Sequence, residues 1–275
     1  FKLNKNKIIQ IDHHLAHAAS VYYPSNFKDS AVLVADGLGS NLETTSYYKG
    51  EKNKLIEIDK YRNHGIGAAY KAVTEHILNL GIGGEGKTMG LAPYGKKYRG
   101  KLKIKMELNG IKNDFNLFMK KQPLADILNQ INSNYRPDPL KFNHKFCKNK
   151  NHLNSYFSGV AYDIQNASEK VMSHLGKDIE KKIKSKNICL SGGVALNSVA
   201  NKKLVDGTNF KNIYIFPACS DAGIPFGAAL WGVINKYSAS KNFKLKFDNA
   251  YTGKNYDSNE IKKLLKKFKI NYSKY

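Results

Sequence analysis

At 275 residues and 30.9 kDa, with 41% hydrophobic and 24% charged residues, the chain reads as globular rather than disordered, with one large domain or two small ones. No apolar run approaches the ~20 residues of a membrane-spanning helix, and the cysteines Cys147, Cys189 and Cys219 are too scattered to frame a disulfide scaffold, so a reducing cytoplasm is the predicted setting. The net charge of +23 invites a nucleic-acid partner, yet only Arg62, Arg99 and Arg136 among 45 basic residues are arginine. Phosphate and base readers lean on the arginine fork, so the lysines read as solvated surface and no specific nucleic acid is expected.

Along the chain, Lys7–Asp12 (KIIQID) predicts a short strand running into an alanine-rich helix from His13. Ser30–Asp36 (SAVLVAD) predicts a buried strand ending in the turn Gly37-Leu38-Gly39. Thr44–Tyr48 and Lys54–Tyr61 continue as strands separated by a Lys-Gly-Glu turn, and Gly65–Leu80 has helical spacing. Gly81–Gly95, with six glycines and a proline, predicts a loop. Residues from about 100 to 155 are polar and lysine-rich, an excursion from the main pattern. Val160, Ile164, Ala167, Val171, Leu175, Ile179 and Ile183 then mark one long amphipathic helix. Asn187–Leu190 predicts a strand ending in Ser191-Gly192-Gly193, followed by a helix over Val194–Leu204. Ile213–Phe216 is a further strand, leading through the loop Pro217–Gly223 to a small-residue helix from Gly227. Strand, glycine turn and helix in repetition predict an α/β domain over 1–240 with ligands gathered at strand ends. Residues 241–275, with their basic helical pattern, open another unit.

Three constellations carry chemistry. His13 and His17 stand four apart, one turn above each other on a helix, where two imidazoles can chelate a cation. Asp36, at a strand end before Gly37 and Gly39, offers a carboxylate to a metal while the glycines let backbone N–H groups approach phosphate. Gly192 and Gly193 permit the same close approach of a nucleotide before a helix N-terminus, with Asn197 one turn in, able to bond a ribose or base. Asp221, flanked by small residues at a strand end, is a further candidate carboxylate ligand. Gly81–Thr88 also satisfies G-x-x-x-x-G-K-T, the P-loop string. A P-loop lies between strand and helix, however, whereas here a helical pattern precedes and a glycine- and proline-bearing stretch follows, so the match is rejected and Lys87 is kept as a candidate for an anionic group. His144, Cys147 and His152 lack a regular metal-binding spacing and read as solvated loop residues.

Five stretches in order give these elements a family likeness: His13–Ser20 (HHLAHAAS) with Tyr23–Ser25, Val34–Gly39 (VADGLG), Gly84–Gly95 (GEGKTMGLAPYG), Gly192–Asn201 (GGVALNSVAN) and Pro217–Leu230 (PACSDAGIPFGAAL). Together they resemble the nodulation-type O-carbamoyltransferases, the NodU/CmcH family. The resemblance implies an actin/Hsp70/sugar-kinase-like α/β fold, shared with threonylcarbamoyl-tRNA transferases. It implies that a YrdC-like domain elsewhere makes carbamoyl-adenylate from carbamoyl phosphate and ATP, and that the present domain transfers the carbamoyl group to an acceptor hydroxyl. By the same resemblance His13, His17 and Asp221 match metal ligands with Asp36 as a fourth, for a divalent ion, iron ahead of zinc or manganese. Gly192, Gly193 and Asn197 match a nucleotide-binding turn. His14 and Lys87 are the catalytic candidates, His14 as a general base for the acceptor or a support of the ligands. Ser40 departs from the family, standing where an acid is common after the glycine turn.

Family members carry a further N-terminal stretch and a C-terminal YrdC-like domain, so the resemblance marks this chain as an internal piece, inactive alone. A threonylcarbamoyl-tRNA transferase is the alternative enzyme, disfavoured by GEGKTMGLAPYG. A non-catalytic nucleotide-binding module is the alternative of another class. Sugar, antibiotic and lipo-oligosaccharide hydroxyls are all compatible acceptors.

Overall fold

Period-two alternation in the central strands determines where everything else lies. A computed structural model describes residues 8–62, 65–109, 112–119, 122–123, 157–236, 245 and 253–273. Strand β1 (Asp29–Ala35) is central in a five-stranded sheet, flanked by β2 (Glu43–Glu51) and β3 (Lys54–Arg62) on one side and by β7 (Asn187–Ser191) and β8 (Asn212–Ile215) on the other. The order is β3-β2-β1-β7-β8; β2 is antiparallel to its neighbours, while β7 and β8 run parallel to β1. This is an α/β architecture around a mixed sheet, as the repetition of strand, glycine turn and helix predicts.

Ala31, Leu33 and Ala35 of β1, with Ile188 and Leu190 of β7, face the long helix α4 (Ser158–Lys182), whose Val160, Ile164, Val171, Leu175 and Ile179 are buried in the same core. Their neighbours Ser30, Val32, Val34, Cys189 and Ser191 point the other way, towards α1 (His13–Ser25). Both faces of β1 are covered, which explains its unbroken apolar run. Helix α1 starts where the Asp12 carboxylate accepts the Leu15 N–H at 3.1 Å and ends on Asn26 in the left-handed region. It lies between the sheet and α6 (Ile224–Asn235), which explains why ten of its thirteen residues are buried.

On the α4 side, α2 (Ile66–Ala72) runs into a π-helical turn over Val73–Ile77, and α3 (Glu85–Leu91) continues as a 3₁₀ stretch, Ala92–Tyr98. A helix therefore occupies part of the stretch expected to be loop. Its glycines Gly86 and Gly90 fit because a side chain there would meet nothing within 4 Å, so the packing of α3 on α4 is free to override weak propensity. No strand precedes Gly81; the segment before it is the π-helical turn, so the rejected P-loop still lacks its strand.

Other boundaries also move. Residues 8–12 form no strand, because Asp12 serves as the helix cap. Strand β2 runs through Lys49, Gly50 and Glu51, and the hairpin turns instead at Lys52 and Asn53, both at positive φ. In place of one helix over Val194–Leu204, a 3₁₀ turn at Gly193–Leu196 is followed by α5 (Ser198–Asp206), with Asn197 as its cap.

The excursion begins with β4 (Lys103–Asn109), β5 (Lys112–Met119) and β6 (Gln122–Pro123), an antiparallel three-stranded sheet. Its remainder, with His144, Cys147 and His152, lies outside the described residues, as do Lys7, His64 and the 240/241 boundary. Asp163 on α4 anchors its root, accepting the backbone N–H groups of Gly100, Lys101 and Leu102 at 2.9, 2.7 and 2.9 Å. Asp163→Ala is expected to destabilise the chain by about 1–2 kcal/mol. Faster amide hydrogen exchange at Lys101 and Leu102 would locate the loss; unchanged exchange there would show that the anchor carries no stability.

The chain divides into two compact units, Phe1–Leu245 and Lys246–Tyr275. In the second, α7 (Ser258–Lys267) opens with a capping box formed by Asp257 and Glu260. No helix among the described residues is long and apolar enough to cross a membrane.

Candidate metal centre

Register aligns three residues beneath α1. Ser46 of β2 and Ser191 of β7 both pair with Val34 of β1, on opposite sides of it, so the three form a row across the sheet. Asp36, two residues beyond Val34, emerges on the same side at the strand end. Above the row, His14 Nδ1 lies 2.7 Å from Ser46 Oγ and His17 Nδ1 lies 3.4 Å from Ser191 Oγ. The remaining nitrogen of His17, Nε2, is buried without a hydrogen-bond partner among the described residues.

That Nε2 belongs to a four-residue cluster. His13, His17, Asp36 and Asp221 each offer one ligand atom, and all four atoms lie within 4.8 Å of one another. His13 Nε2 is 3.2 Å from Asp36 Oδ2 and 3.5 Å from Asp221 Oδ1; His17 Nε2 is 3.6 and 3.3 Å from the same oxygens. A tetrahedral ion with ligands at about 2.1 Å separates its donors by about 3.4 Å. The four imidazole–carboxylate separations bracket that value. Two neutral imidazoles and two carboxylates also balance a divalent charge, so the residues fit such an ion. This mixed nitrogen and oxygen set accommodates iron, zinc or manganese.

The cluster is closed below and open above. The His17 side chain is 0% exposed and that of Asp36 10%, whereas Asp221 is 73% exposed. Burial alone would raise the Asp36 carboxyl, but interactions with His17 and with the backbone N–H groups of Gly193 and Gly37 outweigh it and hold the group well below the usual carboxylate range. Gly193 N–H donates to Asp36 Oδ1 at 2.8 Å. Burial pushes the fully enclosed His14 imidazole down to about 3, so it is neutral near pH 7.

The glycines expected to cradle phosphate spend their N–H groups within the protein. Those of Gly37 and Gly193 hold Asp36, that of Gly39 donates to Glu43 O at 2.7 Å, and that of Gly192 to Cys219 O at 2.8 Å. Gly192 has φ +90°, and a side chain there would stand 2.2 Å from the Ala35 carbonyl, so only glycine lets the β7 turn pass the end of β1. Asn197 is likewise engaged internally. Its Oδ1 accepts from the Ala200 N–H at 3.0 Å and from Gln165 Nε2 at 3.2 Å, and its Nδ2 donates to Gln165 Oε1 at 2.8 Å. Lys87 is exposed on α3, outside the four-residue cluster.

Ser46, Ser191 and Gln165 were not legible as site neighbours from spacing. For the two serines the available signal was strand parity, which places them on the α1 face only once the pairing is known. Gln165 is a buried polar residue, with Ser158 and Ser168, on the mostly apolar face of α4.

Comparison with known proteins agrees with the likeness read from the motifs. Residues 2–230 match the family model described as "Carbamoyltransferase N-terminus". The chain is 35% identical over 268 residues to protein sll1178 of Synechocystis sp., an alignment covering 93% of this chain and 42% of that protein. It is 28% identical over 222 residues to the nodulation protein NolO of Bradyrhizobium diazoefficiens, covering 80% of this chain and 38% of that protein. Among solved structures, HypF of T. kodakarensis superposes with a TM-score of 0.47 at 14% identity, over 82% of this chain and 36% of that chain. The chain thus spans less than half the length of these relatives.

Proposed function

Because this chain belongs to the carbamoyltransferase N-terminus family, we propose that it is the cation-holding, carbamoyl-transferring lobe of a longer O-carbamoyltransferase. The observation that carries this reading is the convergence of His13, His17, Asp36 and Asp221, from three separated segments, with their ligand atoms within 4.8 Å of one another and each imidazole 3.2–3.6 Å from both carboxylates. The parent protein uses carbamoyl phosphate and ATP, passes through carbamoyl-adenylate made by a YrdC-like domain, and delivers the carbamoyl group to an acceptor hydroxyl. A divalent ion bound here, iron ahead of zinc or manganese, supplies a Lewis acid for the charge that develops on the carbamoyl oxygen.

The chain's own groups divide the remaining work. His13 and His17 present Nε2 from one face of α1, and Asp36 is fixed by the Gly193 amide. Asp221 marks the exposed side, so donor and acceptor approach there. Gly37 borders Asp36, and a side chain at Gly37 would meet nothing within 4 Å, so there is open space beside the carboxylate for the donor. His14 is enclosed and bonded to Ser46, so its contribution is to hold α1 on the sheet rather than to touch the acceptor hydroxyl. Lys87, an exposed ammonium, is the candidate partner for a phosphate of the donor.

Elemental analysis of the purified chain is expected to find about one divalent ion per molecule, lost in His13→Ala. A folded wild-type chain that takes up no iron, zinc or manganese would overturn the metal reading. With the full-length protein, label from carbamoyl phosphate is expected to reach a hydroxyl acceptor only when ATP is present; ATP-independent transfer would refute the adenylate route.

A further inference from the structure

We infer that Ser191 is a positioning residue for this centre. Its hydroxyl accepts a hydrogen bond from the Nδ1–H of His17 and donates one to the Cys219 carbonyl, so that Nε2 faces the cation. The inference rests on the metal reading above and adds a residue to it. When a cation occupies Nε2 of a neutral imidazole, the ring's remaining proton must sit on Nδ1, and that N–H needs an acceptor. His17 is 0% exposed, so bulk solvent does not reach the ring. The group beside Nδ1 is Ser191 Oγ at 3.4 Å, itself 1% exposed.

The hydroxyl is oriented to accept. It donates to the Cys219 carbonyl at 3.3 Å, which leaves its lone pairs free to accept from the imidazole. The neighbouring Ser20 hydroxyl, 3.5 Å from Ser191 Oγ, spends its proton on the His17 carbonyl at 2.7 Å and does not compete for that role. The Cys219 carbonyl also accepts the Gly192 N–H at 2.8 Å, using both of its lone pairs. Cys219 lies two residues before Asp221. Ser191 therefore ties the inward ligand His17 to the segment that carries the outward ligand Asp221. The register that pairs Ser191 with Val34 is what brings it under α1.

The test compares wild type, Ser191→Ala and Ser191→Thr as the full chain, with Co²⁺ and Zn²⁺ as probes. Competition against a chromophoric chelator is expected to show Ser191→Ala binding Co²⁺ about 10–100-fold more weakly, with Ser191→Thr restoring most of the affinity. In the Co²⁺-loaded chain the shifted, exchangeable imidazole N–H resonance of His17 is expected in water for wild type and Ser191→Thr. It should broaden through solvent exchange in Ser191→Ala. A purely structural defect would lower the melting temperature without selectively removing that resonance. Unchanged affinity with a persistent His17 N–H in Ser191→Ala would overturn the role of Ser191 while leaving the metal centre intact. A wild-type chain that binds neither ion would overturn both readings together.

Discussion

Asp36→Ala is expected to abolish carbamoyl transfer by the full-length protein, by about 1,000-fold or more, and to weaken cation binding by the isolated chain at least about 100-fold. The size of the effect follows from two tasks in one side chain. Oδ2 stands 3.2 Å from His13 Nε2 and 3.6 Å from His17 Nε2, while Oδ1 accepts the Gly193 N–H. Removing the carboxylate takes one anionic donor from the cluster and leaves the Gly193 amide without its acceptor, releasing the turn between β7 and α5. Asp36→Asn separates the tasks. Its carbonyl oxygen can still receive the Gly193 N–H, so the melting temperature is expected to stay near wild type, but a neutral amide is a poor ligand and cation affinity should fall nearly as far as in Asp36→Ala. Chelator competition and thermal unfolding on the two variants check this. Wild-type affinity in Asp36→Asn would remove Asp36 from the ligand set and reassign it to the turn alone.

The second large effect is expected from a single methyl group added at a helix crossing. Gly227 sits where α6 crosses α1, and a Cβ added there would lie 1.9 Å from the Ala16 carbonyl oxygen and 2.9 Å from the Ser20 nitrogen. Both are backbone atoms of a buried helix, so no side-chain rotation relieves the overlap. Alanine is intrinsically the better helix former by about 1 kcal/mol, yet Gly227→Ala is expected to lower stability by about 2–3 kcal/mol because the helices must separate. For a chain of this size that is a fall of roughly 5–10 °C in melting temperature. The strain falls on α1 between His14 and Ser20, so cation affinity should drop along with stability. A variant that melts at or above wild type would show that the two helices pack less closely than the backbone contact at Gly227 requires.

These two positions illustrate how unevenly function was written along the chain. The His13/His17 pair was legible at once, because a four-residue step on a helix is a local property and Asp12 caps that helix through its own near neighbours. The long helix over Ser158–Lys182 and the buried strand before Asp36 were legible for the same reason: periodicity and apolar runs need only neighbouring residues. The motif order sufficed to name the family.

The motifs named Asp36 and Asp221 as companions of the histidines, but how distant segments meet around them was decided by tertiary structure. Asp36 and Asp221 are 185 residues apart, and only the parallel register of β1 against β7, together with the Cys219 carbonyl accepting from Gly192, brings their oxygens within 4.8 Å of each other. The glycine turns read as phosphate cradles, and in the fold the N–H groups of Gly193, Gly39 and Gly192 hold Asp36, Glu43 and Cys219. Spacing supplies the conformational freedom of a glycine and says nothing of which acceptor its N–H will find. Asn197 caps α5 and pairs with Gln165, which spacing did not show, and the glycine-rich stretch after Gly84 became a helix against α4. In each case the sequence by itself determined which conformations and donors were available, and the packing of distant segments chose among them, because hydrogen-bond partners and close backbone approaches are set by distances that local pattern does not encode.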